Sequence, residues 1–348
     1  MIYLDYQSTT PMAPEAYAAM DPWLKDGFAN PHSAHALGRS AAAAVEVARE
    51  QVAALLPKGG RMIFTSGATE AINLAIKGCG LQPLAAATEH AAVLDCVEFL
   101  GGETLPVGAA GNVANFPATN ALFAVMLVNN EIGTIQPVAD LAGQVHAQGG
   151  LLLCDAVQAF GRMPIPDGPD LIAISAHKIH GPKGIGALWV RDGIRLSPVI
   201  HGGGQEQGLR SGTLSPALCA GFGAAATLAA ERMEADAAHV AALWDRAVKA
   251  FSDWTINGST EHRYKGNLNI RRDGVDAARL ISECRNVAFS AGSACASGSG
   301  RPSHVLRAIG LTDAQAKSSI RLGFGRYTTA QEIDIAAATI NAAAEAML

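Results

Sequence analysis

Aromatic residues are scarce: Phe, Trp and Tyr make up 5% of the 348 residues, although 49% are hydrophobic. With few large rings and much alanine, closely packed helices against a sheet are expected rather than a ring-filled β-sandwich. No run of like charge exceeds a pair, and 26 basic against 31 acidic residues leave a net charge of −5. Neither a nucleic-acid face nor an acidic tail is therefore indicated. The longest apolar runs, 121–128 and 217–230, fall short of a membrane span, and the second is interrupted by Gly221 and Gly223. Residues 1–7 hold no basic stretch leading into an apolar one, so no secretory signal is seen and a cytoplasmic location is expected. The six cysteines form no Cys-x-x-Cys pair, which argues against a disulfide framework and a zinc site, and no metal is expected. Cys79, Cys96, Cys154, Cys219 and Cys284 have apolar or helical neighbours and are expected to be buried fillers. The P-loop and dinucleotide fingerprints are both missing.

What is present is an alternation of strand-like and helix-like segments. Strand-like segments at 61–65, 84–87, 103–106, 122–128, 151–154 and 171–174 are interleaved with helical patterns ending near 77, at 91–100 and at 138–148. The runs at 122–128 and 151–154 do not alternate with polar residues, as expected for parallel strands covered on both faces. A returning antiparallel strand is expected at 185–190, across the turn Gly181-Pro-Lys-Gly184. The chain is long enough for two domains, and an alanine-rich helix over 216–250 is placed to bridge them. Beyond it, strands at 267–270, 287–290 and 319–323 with short helices suggest a smaller α+β unit. The last helix opens on the capping box Thr329-Ala-Gln-Glu332 and sets Ile333, Ala336, Ile340, Ala343 and Met347 on one face.

Five of these six strand ends carry polar residues. Thr69 lies in Ser66-Gly-Ala-Thr-Glu70, where a helix start offers free amides to a phosphate; an ordinary N-cap is the alternative. His90 lies in Thr88-Glu-His90, Asn130 follows 122–128, and Asp155 with Gln158 follows 151–154. Lys178 leaves the apolar run 171–174 for a polar, glycine-bounded loop. A lysine so placed either reaches the surface or has its pKa lowered and serves as a Schiff-base former. Taken together, the set suits pyridoxal 5'-phosphate: lysine for an imine, aspartate for the pyridine nitrogen, imidazole for the ring, and small residues for the phosphate. Cys295 sits in Ser290-Ala-Gly-Ser-Ala-Cys-Ala-Ser-Gly-Ser-Gly300, too polar and glycine-rich to pack as core, so its thiol is expected to be exposed and available. His32, His35, His180 and His201 lie in glycine- or proline-bearing loops that could rim the same pocket.

These motifs, with Val128-Asn-Asn-Glu-Ile-Gly133, Ser175-Ala-His-Lys178 and Gly208-Leu-Arg-Ser-Gly-Thr213, resemble the cysteine desulfurases of the NifS/IscS type, in the class V branch of pyridoxal-phosphate enzymes. The resemblance runs over nearly the whole chain. It implies an α/β, aspartate-aminotransferase-like fold (fold type I), with a mainly parallel seven-stranded sheet in a large domain, 13–232. A small α+β domain of 1–12 and 233–348 would carry the Cys295 loop. It further implies that Lys178 anchors the cofactor, Asp155 pairs with the pyridinium nitrogen, and His90 stacks on the ring. Asn130 and Gln158 would lie on its phenolic-oxygen or substrate side. Ala68, Thr69, Ser175 and His177 would bind the phosphate, joined by Thr213 from the neighbouring subunit of a homodimer. Arg321 matches the arginine for the substrate carboxylate, with Asn30 as helper; the nearby Arg326 is the competing choice. The implied reaction converts L-cysteine to L-alanine, holds sulfur as a persulfide on Cys295, and passes it to an acceptor protein for iron–sulfur or other thio-cofactor synthesis. Gln7-Ser8 departs from the small or amide pair usual in the family. A selenocysteine lyase or another class V enzyme would keep Lys178 and Asp155 without needing the persulfide, and a non-catalytic scaffold would need none of the three.

Overall fold

The computed structural model describes residues 1–114, 116–291 and 302–348; Cys295 lies outside the described residues. The chain opens on β1 (Ile2–Tyr3), followed by α1 (Pro14–Lys25) and α2 (Ala36–Ala53). Alternation then begins: β2 (Gly60–Thr65), α3 (Ala68–Gly78), β3 (Pro83–Ala86), α4 (Ala91–Phe99), β4 (Glu103–Leu105), β5 (Leu122–Met126), α5 (Val138–His146), β6 (Leu151–Asp155), β7 (Leu171–Ser175) and β8 (Gly186–Arg191). Their strands make a seven-stranded sheet in the order β2-β8-β7-β6-β5-β3-β4. Every pairing among β3, β4, β5, β6 and β7 is parallel, and β8 runs antiparallel to both β7 and β2. The mainly parallel α/β architecture and the returning strand are as the sequence pattern implies.

The lack of alternation in the central strands has a direct cause. Phe123 and Val125 of β5 enter one core with Val45, Phe64 and Phe222, while Leu122 and Ala124 enter the opposite core with Ile72, Ile76 and Val97. Ile172 and Ile174 of β7 divide from Leu171 and Ala173 in the same way. Successive side chains point to opposite faces, and both faces are covered by helices, so no position along 122–126 or 171–174 is left for a polar residue. Each buried Val, Leu, Ile or Phe contributes about 1.5–3 kcal/mol.

Helix α6 (Pro216–Ala250) starts on Ser215, whose hydroxyl accepts from the Leu218 amide, with proline at the first helical turn. Its first half gives Cys219, Phe222 and Ala226 to the sheet's core, and its second gives Val240, Trp244 and Ala247 to a separate one. That second core gathers residues from β9 (Thr255–Ile256), β10 (Asn267–Arg271), α7 (Ala277–Glu283) and β11 (Val287–Ala288). After α8 (His304–Ala308) and α9 (Asp313–Lys317), β12 (Ser319–Gly323) and α10 (Ala330–Glu345) complete it. β10 lies between β12 and β9, while β1 pairs parallel with β11, returning the N-terminus to this unit.

The capping box of α10 forms as expected. Its buried face is turned slightly from the expected one: Ile333, Ala336 and Ile340 are joined by Ala337 and Ala344, and Ala343 and Met347 are only half-buried. Strand β9, two residues long, leaves no periodic pattern to read. Cys96, Cys154, Cys219 and Cys284 are buried as expected, whereas Cys79 is half-buried.

Candidate active site

Strands β2, β3, β5, β6 and β7 share one direction, so the residues that follow them gather at one end of the sheet, where ligands of open α/β folds bind. There a cavity of about 840 Å³ opens between the sheet and the smaller unit. Ala68, Thr69, His90, Asn130, Asp155, Gln158, Ser175, His177, Lys178 and Arg321 all line it.

Lys178 closes a 3₁₀ turn, Ala176–Lys178, directly after β7. Its Nζ donates to the Gln7 carbonyl at 2.5 Å and the Ser8 carbonyl at 2.6 Å. Burial, and then the Arg162 and Arg321 charges, lower its pKa from 10.5 to about 7. A substantial neutral fraction therefore exists at neutral pH, as a proton acceptor or imine-forming amine requires.

Asp155 ends β6, buried, with Oδ1 accepting from the Val157 amide at 2.9 Å. Burial raises its pKa, against the Val157 hydrogen bond and the charges of His90 and Lys178. His90 caps α4, its Nδ1 accepting from the Ala92 amide at 3.1 Å. Burial lowers its pKa while Asp155 opposes the shift, and in the neutral ring the proton sits on Nε2. His177 is driven to about 4 by burial and by the Lys178 charge, so it too is neutral, with Nδ1 3.1 Å from the Thr9 hydroxyl.

Helix α3 begins at Gly67 with no side-chain cap. The neighbouring Glu70 carboxylate is engaged elsewhere, accepting from the Ser66 amide and from Arg210, each at 2.7 Å. Ala68 and Thr69 therefore bring uncapped first-turn amides to the cavity, an arrangement suited to a phosphate. With a buried carboxylate for a ring nitrogen and a lysine of lowered pKa, the residues present fit pyridoxal phosphate.

Arg321 is 1% exposed. One terminal nitrogen reaches Asp5 at 2.7 Å and the Ser8 hydroxyl at 2.9 Å, and the other reaches the Asn130 carbonyl at 3.1 Å. Arg326 is instead committed to Asp236 at 2.7 Å and does not line this cavity. Gln158 joins the N-terminal strap to Arg162, donating to the Gln7 carbonyl at 2.9 Å and accepting from Arg162 at 2.6 Å.

Two expected residues lie apart. Asn30 is exposed, its Oδ1 accepting from the His32 amide, and Thr213 is exposed; neither lines the cavity of its own chain. None of His32, His35, His180 or His201 rims it. His180 is buried against the Pro11 carbonyl at 2.9 Å, with a pKa lowered to about 4, chiefly by burial. The imidazole that does line the cavity besides His90 and His177 is His304, beside the Glu89 carbonyl at 2.9 Å. Gln7 and Ser8 also line it, a role that a departure from the usual family pair does not announce.

Fold and site together define a pyridoxal-phosphate enzyme built on the aspartate-aminotransferase plan. More narrowly, the class-V aminotransferase family profile matches residues 2–335, and the chain belongs to that family. It is 44% identical to cysteine desulfurase IscS of Rickettsia akari (strain Hartford) over 364 residues, covering 96% of this chain and 89% of that protein. Among solved structures it is similar to a NifS-like protein from Rickettsia africae ESF-5, with a TM-score of 0.91, 27% identity and 99% of each chain covered. It is also similar to SspA in complex with cysteine, with a TM-score of 0.83 and 34% identity, covering 94% of this chain and 100% of that one.

Proposed function

We propose that this chain is a cysteine desulfurase that releases L-alanine from L-cysteine and holds the sulfur as a persulfide on Cys295 for an acceptor protein. The observation that carries the reading is a lysine of pKa about 7 sharing one cavity with a buried aspartate and an imidazole whose pKa is lowered. Pyridoxal phosphate, when bound, supplies the electron sink that lets the Cα–H and Cβ–S bonds of an amino acid break.

In this reading Lys178 would anchor the cofactor and, with its Nζ free, would accept the Cα proton there. Asp155 would hold the ring nitrogen, His90 would cover the ring, and Asn130 and Gln158 would serve its phenolic-oxygen or substrate side. The amides of Ala68 and Thr69, with Ser175 and His177, hold the phosphate. Thr213, exposed on its own chain, completes that cradle from a second copy in a homodimer. Arg321, with Asn30 as helper, binds the substrate carboxylate. His90 carries its proton on Nε2, suited to the proton movements that accompany sulfur departure.

Cys295 is favoured as the sulfur carrier by the state of the other five cysteines. Burial raises the pKa of each, to about 12 for Cys219, and none lines the cavity. The described flanks of the Cys295 segment both meet the site: Ser290 donates to Asp5 at 2.8 Å, and Pro302 lines the cavity. The transfer balances without an external oxidant. The Cβ–S bond breaks, carbon keeps the electron pair and gains a proton, and sulfur is oxidised as it bonds to the Cys295 thiolate. The acceptor lies in iron–sulfur or other thio-cofactor synthesis, in a reducing, cytoplasmic compartment.

The test is turnover of L-cysteine by the holoenzyme with a thiol reductant present. Equal amounts of alanine and sulfide are expected from the wild type, and neither at an appreciable rate from Cys295→Ala. Unchanged turnover in that variant would sink the persulfide route and favour another class V reaction.

A further inference from the structure

The Ser8 hydroxyl is the feature of the cavity that the family pattern does not explain. The backbone of Ser8 is already engaged, its amide donating to the Asp5 carbonyl at 2.9 Å and its carbonyl accepting from Lys178. Its hydroxyl oxygen accepts from Arg321 at 2.9 Å, and its proton has no acceptor among the described residues. Ser8 lines the cavity, so that proton can be presented to a ligand there.

Arg321 is constrained at the same point. The terminal nitrogen bonded to Ser8 also donates to Asp5 at 2.7 Å and lies 3.3 Å from the Ser290 hydroxyl, so both of its hydrogens are taken. The other terminal nitrogen gives one hydrogen to the Asn130 carbonyl at 3.1 Å and has one left, and the buried Nε–H has no partner among the described residues. A carboxylate approaching the guanidinium therefore cannot take both terminal nitrogens without displacing Ser8 or Asp5. It can take one free guanidinium hydrogen through one oxygen and a neighbouring hydroxyl through the other.

We propose that Ser8 is a specificity-determining ligand of the substrate α-carboxylate, donating its hydroxyl proton to one carboxylate oxygen while Arg321 holds the other. Asp5 is the positioning residue: it fixes the guanidinium nitrogen that orients the Ser8 oxygen, so the Ser8 proton points away from the arginine. This rests on the reading of Arg321 as the carboxylate clamp.

The test uses holoenzyme and compares Ser8→Ala, Ser8→Thr and Arg321→Gln. Calorimetric binding of L-alanine is measured alongside KM for L-cysteine and for cysteamine, which keeps the amine and thiol but lacks the carboxylate. Loss of one hydrogen bond to a charged group should weaken L-alanine binding by about tenfold in Ser8→Ala and raise KM for L-cysteine similarly. KM for cysteamine should stay within about twofold, and Ser8→Thr, which keeps the hydroxyl, should restore most of the loss. Unchanged alanine binding in Ser8→Ala, equal losses for cysteine and cysteamine, or failure of Ser8→Thr to restore binding overturns the Ser8 assignment. If Arg321→Gln also leaves alanine binding unchanged, the clamp reading itself fails; if only the serine variants are silent, Ser8 alone is wrong.

Discussion

Replacing Lys178 with methionine should stabilise the cofactor-free chain at neutral pH, and the gain should fade as the pH rises. In the unfolded chain Lys178 keeps its proton up to about 10.5, whereas the folded chain releases it above about 7. Between those values the unfolded state binds more protons, so native stability rises with pH and is lost as the pH falls toward 7. The slope approaches 1.36 kcal/mol per pH unit, which gives about 2 kcal/mol between pH 7 and 9. Lys178→Met removes this titration, and the contributions of groups distant from it cancel when the two proteins are compared. Urea unfolding of both across that range should show the variant more stable at pH 7, with the gap closing by about 2 kcal/mol at pH 9. A gap that is independent of pH, or one that widens, would refute a buried lysine of lowered pKa.

Asp155→Asn should keep the fold and lower turnover by about a hundredfold or more, read as initial rates at saturating cofactor, because the fixed negative charge opposite the ring nitrogen is gone. Glu206→Ala should destabilise the chain by about 3 kcal/mol in denaturant titration. Its carboxylate accepts from Arg49 at 2.7 and 2.8 Å and from the Phe64 amide at 2.6 Å, and the variant leaves the arginine without that buried partner. Arg321→Lys should raise KM for L-cysteine by about tenfold in steady-state assays, since a point charge replaces a planar fork.

How far the sequence could be read depended on how far apart the cooperating residues lie. The central strands were legible because each residue of 122–126 and 171–174 goes to a covered face, leaving runs without a polar residue. The site residues that follow them were legible because parallel strands carry their ends to one edge. The part played by Gln7 and Ser8 was not, since the acceptors for Lys178 are backbone carbonyls, which any side chain can accompany. His304 was missed because its partner, the Glu89 carbonyl, lies 215 residues away and no local spacing records the contact. The loop histidines show the converse: His180 has a glycine after it and a polar neighbourhood in sequence, yet it packs inward to pin the N-terminal strap through Pro11. Asn30 and Thr213 were drawn in by resemblance alone, and on one chain they stand outside the cavity.

The central claim joins a lysine that opens the substrate to a cysteine that takes its sulfur. Holoenzyme should be exposed briefly to L-cysteine labelled at sulfur, trapped with an alkylating reagent and digested, and the peptide bearing Cys295 examined by mass spectrometry. One labelled sulfur atom on that peptide, with alanine formed in matching amount and both lost in Lys178→Ala, is the expected result. Alanine formed with no label on Cys295, or label spread over the buried cysteines instead, would contradict the account.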